Sequence, residues 1–311
     1  MPVETVGMIG LGIMGSAMSA NLVKGGFSVV GYDVLPACGR QLRQAGGTVV
    51  RSAREVGTRS SIIVTSLPSS EALLETAAAL SRSARSKQIV IETSTLPIAL
   101  KEEARRELDA RGITLLDCPV SGSGAQARVK DIVVYVSGNH GAYRRARPIM
   151  EGFARAHYYI GPFGAGSKMK FVANLLVGIH SLAAAEALTL GIKAGLDPAM
   201  IVKVVADGGG GSRMLQMRGP LMVHEAYAEA TMKLKLWQKD MTIINEFARQ
   251  LDCPTPLFAA SAPIYTAALA TRDGSEDMAA VCAVLEAMAN SPRIRRPRQQ
   301  KERSTGTIPP P

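Results

Sequence analysis

The sequence has few of the residues that build metal sites and disulfide frameworks. Its 311 residues include only four cysteines and four histidines. No two cysteines form a CxxC pair, and the histidines show no HExxH spacing. These absences exclude the common zinc-site patterns, so we expect no metal. They also favour a reducing compartment, and we predict a cytoplasmic protein.

The sequence also lacks the marks of export and of membrane insertion. No basic segment precedes the first apolar residues of "MPVETVGMIGLG", which argues against a signal peptide. The longest apolar stretch, residues 171–192, is interrupted by Asn174, His180 and Glu186. Such interruptions are typical of a buried helix in a globular protein, so we expect no membrane partner.

The excess of positive charge is concentrated at the C-terminal end. The chain has 36 basic and 26 acidic residues, and residues 292–311 hold six of the basic ones and one acidic one. We interpret residues 292–311 as a disordered basic tail. The tail has no aromatic residue for base stacking, so we expect no nucleic-acid partner. A non-catalytic dinucleotide-binding protein whose tail contacts nucleic acid is the alternative from another functional class.

The hydrophobic spacing changes once along the chain. Through about residue 160, short β-branched runs alternate with helical stretches, which is typical of a parallel α/β sheet. After Gly166, helical stretches are broken only at "GLDP", "ADGGGGS" and "DCPTP". We predict an α/β fold, with a Rossmann-type doubly wound sheet in residues 1–162 followed by an all-α domain in residues 163–291. The predicted strands are "TVGMIG", "SVVGYD", "SIIVTSLP", "QIVIETST", "TLLDCPVS" and "DIVVYVSG".

A glycine-rich loop follows the first predicted strand. Gly10, Gly12 and Gly15 form a GxGxxG motif, whose glycines permit a tight turn, close approach of a pyrophosphate, and close helix packing. Asp33 closes the next strand, where a carboxylate would hold a ribose 2′-hydroxyl. The pattern predicts dinucleotide binding. It favours NAD because a carboxylate repels a 2′-phosphate, while two arginines on the following helix keep NADP as the alternative.

Two lysines lie near the start of the first helix after the sheet. In "GAGSKMKFVAN", a helix from about Ser167 would place Lys168 and Lys170 in its first turn. The positive end of the helix dipole disfavours cations there. Lys170 and Asn174 would share one helix face. The unfavourable position indicates that function, rather than helix stability, requires a lysine.

Six motifs together resemble the β-hydroxyacid dehydrogenase family, which includes 3-hydroxyisobutyrate dehydrogenase and, more distantly, 6-phosphogluconate dehydrogenase. In family order over residues 4–290 they are "GLGIMG", "TSLP", "ETSTLP", "DCPVSGS", "GAGSKMKFVAN" and "WQKDM". The resemblance implies an oxidoreductase that transfers a hydride between a nicotinamide cofactor and a small 3-hydroxy acid or its semialdehyde. It also implies a carboxylate-bearing substrate. The Ala- and Leu-rich helices of the second domain are more apolar than a monomer needs to cover, so we predict a homodimer or homotetramer.

The resemblance further implies roles for substrate-binding residues. Lys170 would be the general acid and base, which takes the proton of the substrate hydroxyl in oxidation and returns it in reduction. The Ser121 hydroxyl and the backbone N–H groups of Gly122 and Ser123 would bind the substrate carboxylate. Asn174 would orient the substrate by hydrogen bonds.

Other matched positions would contact the cofactor. Thr95 would lie beside both nicotinamide and substrate. Lys239 and Asp240 would approach the cofactor from the helical domain and position the catalytic lysine. The remaining cofactor-binding positions are Gly10, Leu11, Gly12, Ile13, Met14, Gly15, Asp33, Leu67 and Pro68.

The sequence departs from the family pattern around the expected substrate. "SGSGAQARVKDI" places Gln126, Lys130 and Asp131 after the carboxylate loop, where many relatives have glycine and other small residues. Met232 lies close to where several members have an aromatic residue. Because of these changes, the motifs do not identify the substrate. An NADPH-dependent semialdehyde or imine reductase of the same fold is the alternative enzyme. Imine reductases commonly have another proton donor in place of the lysine, so Lys170 counts against an imine reductase.

Overall fold

The computed structural model describes residues 5–83 and 87–291. The basic tail predicted for residues 292–311 lies outside the described residues. Nine strands form one sheet in the described part: β1 Thr5–Ile9, β2 Ser28–Tyr32, β3 Thr48–Val49, β4 Ile62–Thr65, β5 Ile89–Glu92, β6 Thr114–Asp117, β7 Val120–Ser121, β8 Val133–Ser137 and β9 Ala156–Gly161.

Helices lie between the strands, and further helices follow the last strand. Those between strands are α1 Ile13–Lys24, α2 Gly39–Gln44, α3 Ala53–Arg59, α4 Ser70–Ser81, α5 Ile98–Asp109, α6 Gly124–Arg128 and α7 His140–Phe153. Those after the sheet are α8 Ala165–Lys193, α9 Pro198–Asp207, α10 Arg213–His224, α11 Leu234–Gln250, α12 Pro256–Thr271 and α13 Val281–Met288. The predicted fold class, a Rossmann-type sheet followed by an all-α domain, is confirmed.

The strand order is β3-β2-β1-β4-β5-β6-β8-β7, and β9 pairs with β8. Strands β1 to β6 are parallel, whereas β8 runs antiparallel to β6 and β7. The chain reverses its direction of winding between β1 and β4. In doubly wound sheets, ligands bind in the crevice at the carboxyl ends of the strands at such a point.

The sheet differs from the prediction at three places. Strand β3 has only two residues, and β9 has no buried residue, so neither gives an alternating hydrophobic signal. The predicted strand "TLLDCPVS" divides into β6 and β7 around Pro119, which has no N–H to donate to a ladder.

Helix α8 is the central element of the helical domain. It packs against α9 to α13 and against β8 and β9. A Cβ at Gly178 would lie 2.8 Å from a Trp237 ring carbon and 2.9 Å from a Phe258 ring carbon, so glycine allows this close packing. Within the described residues α8 is the one helix long and apolar enough to cross a membrane. Because 44% of its most apolar window is buried in the structure, it also fits the core helix of a globular domain.

Helix α8 begins at Ala165, two residues earlier than predicted. Gly164 sets the entry to the helix with a φ of +90°, a conformation that favours glycine. Lys168 and Lys170 are therefore the fourth and sixth helical residues. The dipole effect falls off within the first turn, so it contributes less at Lys170 than the sequence indicates.

A buried ion cluster holds the start of α8 to the sheet. The Lys101 Nζ lies 2.5 Å from Glu92 Oε2 and 2.8 Å from Asp117 Oδ1, and all three side chains are fully buried. Asp117 accepts hydrogen bonds from the Ser167 N–H at 2.8 Å and from the Ser167 hydroxyl at 2.7 Å. This N–H is one of the donors that a helix start leaves unpaired. The cluster therefore joins α5, β5 and β6 to α8.

The charge of Lys101 is fixed by its two carboxylate neighbours. Burial by itself lowers the pKa of a lysine, but Asp117 and Glu92 together raise the pKa of Lys101 above its ordinary value. Lys101 is thus a permanent cation whose role is to neutralise buried carboxylates.

Replacing Lys101 by methionine should lower the free energy of unfolding by about 3–5 kcal/mol, because it leaves two buried carboxylates without a counter-ion. Chemical denaturation of the variant and the parent protein measures this loss. Arg105→Met on the same helix is the control, since Arg105 pairs with Glu102 and Asp109 at the surface. The control should lose at most about 1 kcal/mol, and an equally small loss for Lys101→Met would contradict the account.

Candidate active site

The glycine motif at the junction of β1 and α1 is packed too tightly for side chains at Gly10 and Gly15. Gly10 has a φ of +88°, and a Cβ there would lie 2.1 Å from the Ser66 carbonyl oxygen. A Cβ at Gly15 would lie 1.9 Å from the Gly10 carbonyl oxygen. At Gly12, which precedes α1, no described atom other than those of Gly12 and its two chain neighbours lies within 4 Å of the Cβ position. The backbone at the start of α1 is therefore open to a ligand.

Asp33 is held beside this loop by the backbone. Its Oδ2 accepts a hydrogen bond from the Leu11 N–H at 2.7 Å, and its Oδ1 accepts one from the Leu35 N–H at 2.8 Å. Ile13 and Met14 form the first turn of α1, so their N–H groups lie at an open helix N-terminus. A helix start suited to a pyrophosphate and a fixed carboxylate suited to a ribose diol fit a dinucleotide.

The loops after β4 and β5 meet each other and the helical domain. The Leu67 N–H donates to the Ser94 hydroxyl at 2.8 Å, and the Lys239 Nζ donates to the Thr95 carbonyl at 2.7 Å. Pro68 follows Leu67 in the first of these loops. The structure thus brings the predicted cofactor residues after β4 and β5 close to Lys239 on α11.

Lys170 is buried on α8, with 6% of its surface exposed. Burial, which disfavours the charged ammonium, lowers its pKa to about 8; Asp240 opposes this shift and Lys239 adds to it. Near neutral pH both protonation states of Lys170 are therefore populated. A group of this kind can both take and return a proton.

Asp240 connects the neighbours of Lys170. Its Oδ2 accepts a hydrogen bond from the Asn174 amide nitrogen at 3.0 Å, and its Oδ1 lies 3.3 Å from the Lys239 Nζ. Burial raises the pKa of Asp240, against the effect of Lys239 and Lys170. The carboxylate thus orients the Asn174 amide and influences the charge of Lys170.

A cavity of about 420 Å³ lies between the sheet and the helical domain. It is lined by Lys170 and Asn174 and by the loop Ser121–Ser123, so the structure brings together most of the predicted substrate residues. Within the described ranges, Thr95 does not line this cavity. No group of three or more His, Cys, Asp or Glu side chains in those ranges is arranged to hold a metal ion.

In the loop Ser121–Ser123, which the sequence predicts to bind a carboxylate, Ser123 hydrogen-bonds within the protein. Its N–H donates to Gln126 Oε1 at 2.9 Å, and its hydroxyl accepts a bond from the Gln126 N–H at 3.4 Å. This capping box starts α6, and its Ser-x-x-Gln signature is readable in the sequence. The Ser123 N–H is therefore used by Gln126, while the Ser121 hydroxyl and the Gly122 N–H remain as the anion-binding candidates.

Three arginines that sequence reasoning missed also line the cavity: Arg155, Arg213 and Arg218. Asp131 accepts hydrogen bonds from Arg155 at 2.8 Å and from Arg213 at 3.1 Å. The pKa of Asp131 is lowered by hydrogen bonds from Gln126 and Arg155. Arg155 lies just before β9, whereas Arg213 and Arg218 lie on α10, so no short motif in the sequence signals that the three meet at the cavity.

The chain matches two family models that together cover most of its length. Residues 5–161 match the NAD binding domain of 6-phosphogluconate dehydrogenase. Residues 164–285 match the NAD-binding domain of NADP-dependent 3-hydroxyisobutyrate dehydrogenase. The first match covers the sheet and the second covers the helices, so both parts of the resemblance seen in the motifs are confirmed.

Similar proteins are dehydrogenases of hydroxy acids. L-threonate dehydrogenase of Cupriavidus necator is 32% identical over 282 residues, which are 89% of this chain and 95% of that protein. The 3-hydroxyisobutyrate dehydrogenase of Pseudomonas aeruginosa is 31% identical over 84% of this chain and 91% of its own. The crystal structure of 3-hydroxyisobutyrate dehydrogenase from Salmonella typhimurium has a TM-score of 0.84 and 28% identity, covering 90% of this chain and 99% of that one.

Likeness at this level spans the glycine-rich loop, the sheet and the helix that carries Lys170. It agrees with a dinucleotide site at the switch point and with an oxidoreductase that acts on a CH–OH group. The chain belongs to the β-hydroxyacid dehydrogenase family of NAD(P)-binding oxidoreductases.

Proposed function

We propose that the protein transfers a hydride between a nicotinamide cofactor and a small 3-hydroxy acid or its semialdehyde, with Lys170 as general acid and base. The observation that carries the proposal is the burial of Lys170 on the wall of the cavity, which lowers its pKa to about 8. The loop Ser121–Ser123 lines the same cavity and supports a carboxylate-bearing substrate.

The residues that line the cavity have separate roles in the reaction. A bound nicotinamide ring supplies the hydride acceptor in oxidation and the hydride donor in reduction. Neutral Lys170 takes the proton of the substrate hydroxyl in oxidation, and protonated Lys170 returns it in reduction. The Ser121 hydroxyl and the Gly122 N–H hold the substrate carboxylate, and Asn174, fixed by Asp240, orients the substrate.

We assign cofactor binding and the catalytic lysine to different parts of the chain. Residues 1–162 bind the dinucleotide, and residues 163–291 supply Lys170 and contacts between subunits. The hydrogen bond from Lys239 to the Thr95 carbonyl supports this division, since it links the helical part to the loop after β5.

The rate of each direction should depend on the charge of Lys170. Oxidation needs the neutral amine, so its kcat/KM should rise as the pH increases through about 8, whereas reduction should fall over the same range. Asp240→Asn removes a charge that raises the pKa of Lys170, so the midpoint should move to lower pH. Lys239→Met removes a charge that lowers this pKa, so the midpoint should move to higher pH. Midpoints that move in the same direction in both variants would contradict the assignment.

Asp33 supports a preference for NAD over NADP. Its carboxylate is fixed beside the glycine loop and repels a 2′-phosphate. Asp33→Asn keeps an acceptor for the Leu11 N–H but loses the charge, so the ratio of kcat/KM for NAD to that for NADP should fall by roughly tenfold or more. Asp252→Asn, in the turn after α11, is the control. An unchanged ratio in Asp33→Asn would show that other residues choose the cofactor.

The surface of α8 supports a homodimer or homotetramer. Met169, Val172 and Leu176 are spaced for one helix face and are 40%, 57% and 47% exposed. An exposed apolar stripe of this kind is commonly covered by another subunit. A monomeric mass in sedimentation equilibrium would contradict this assembly.

The cysteines support a reducing compartment, and we assign the protein to the cytoplasm. All four cysteines lie in the described ranges, and none of them forms a disulfide there. Cys118 and Cys282 are buried, where their role is packing rather than cross-linking.

A further inference from the structure

Helix α10 presents a cationic face to the substrate cavity. Arg213, Met214, Met217 and Arg218 all line it. Arg213 and Met217 are four residues apart, as are Met214 and Arg218, so the four side chains share one side of the helix. This face has an arginine at each end and two methionines between them.

Arg218 is buried, and part of its guanidinium has no partner. The side chain is 5% exposed, and its Nη1 donates to Asp277. Its Nε has no hydrogen-bond partner in the part of the chain that the structure describes. Asp277 also accepts bonds from the Thr231 N–H and hydroxyl and from the Met232 N–H, so it is firmly held. Because Arg218 also lines the cavity, an oxyanion bound there would lie beside its guanidinium group.

Arg213 is held more weakly than Arg218. Its side chain is 65% exposed, and its Nη2 contacts Asp131 Oδ2 at 3.1 Å. An exposed ion pair of this kind contributes at most about 1 kcal/mol, so Arg213 can exchange Asp131 for another anion at small cost. Asp131 keeps its bonds to Arg155 and Gln126 after such an exchange. One carboxylate faces two exposed arginines, which leaves one positive charge unmatched at this end of the cavity.

We propose that this face of α10 binds a second oxyanion on the substrate, a carboxylate or a phosphonate-type group at the end distant from the reacting carbon. The inference rests on the proposed function, because it assigns the far end of that same substrate. Arg213 and Arg218 donate to the second oxyanion, and Met214 and Met217 pack against the carbon chain. The cavity of about 420 Å³ lies within the range of volumes that hold small organic ligands.

Three probes that differ only at one end test this site. They are 2-(hydroxymethyl)pentanoate, 2-(hydroxymethyl)glutarate and 2-(hydroxymethyl)-4-phosphonobutanoate, which end in a methyl, a carboxylate and a phosphonate group. Titration calorimetry on the full chain measures Kd for each. At least one dianionic probe should bind roughly 10- to 100-fold more tightly than the methyl probe, as expected for charge-assisted hydrogen bonds. Comparing Kd for the glutarate and phosphonate probes shows whether the site prefers a carboxylate or a phosphonate group.

Variants then identify the residues. Arg213→Met should remove most of the preference for the dianionic probes over the methyl probe. Arg218→Lys keeps a charge beside Asp277 but loses the planar guanidinium at the cavity wall, so it should also weaken the preference. Asp131→Asn removes the carboxylate that competes for Arg213, so this variant should show a stronger preference for the dianionic probes. Arg147→Met is the control, because Arg147 is similarly exposed and pairs with Glu151 outside the cavity.

The outcomes separate this inference from the proposed function. Equal Kd values for all three probes overturn the second anion site, as does a preference that survives both arginine substitutions. Turnover with NAD and NADP is measured separately. A dianion preference without any oxidation would overturn the proposed function and support the site. Oxidation of the methyl and dianionic probes with equal kcat/KM would support the proposed function and overturn the site.

Discussion

The burial of Lys170 is the constraint on which the rest of the site depends. An ammonium group loses hydration inside a protein, and this loss lowers the pKa of Lys170 to about 8. Asp240 opposes the shift, and Lys239 adds to it, so the final value reflects three groups from two helices. Any movement of α8 relative to α11 would change these distances. The contacts that fix α8 are therefore part of the proton chemistry.

A second buried lysine shows how strongly the surroundings decide the role of the same residue type. Lys101 lies between two carboxylates and is held in its charged form, whereas Lys170 has one carboxylate opposed by another cation. The first lysine fixes the start of α8 through Asp117 and Ser167. Lys170 lies on α8 itself, three residues after Ser167. One lysine supplies permanent charge for structure, and the other supplies a proton that can move.

The sequence predicts what depends on local pattern and misses what depends on packing. The glycine loop, five of the strands and the long helix follow from spacing alone. Helix α8 begins two residues before the position that the sequence indicates, because Gly164 adopts a positive φ that no neighbouring residue signals. The sequence does not reveal the role of Lys101, whose two carboxylate partners lie on the separate strands β5 and β6, although Lys101 lies in line with the buried Ala104 and Leu108 on α5. Arg213 reaches the cavity only through the packing of α10, which no short motif encodes.

The most direct test of the account is to replace Lys170 by methionine, which preserves length and bulk but cannot carry a proton. Turnover in both directions should fall by roughly 10²- to 10⁴-fold, while dinucleotide affinity stays unchanged. Lys168→Met, on the exposed side of the same helix, should keep normal turnover. Near-normal turnover in Lys170→Met, with the fold intact, would show that another group moves the proton and would contradict the account.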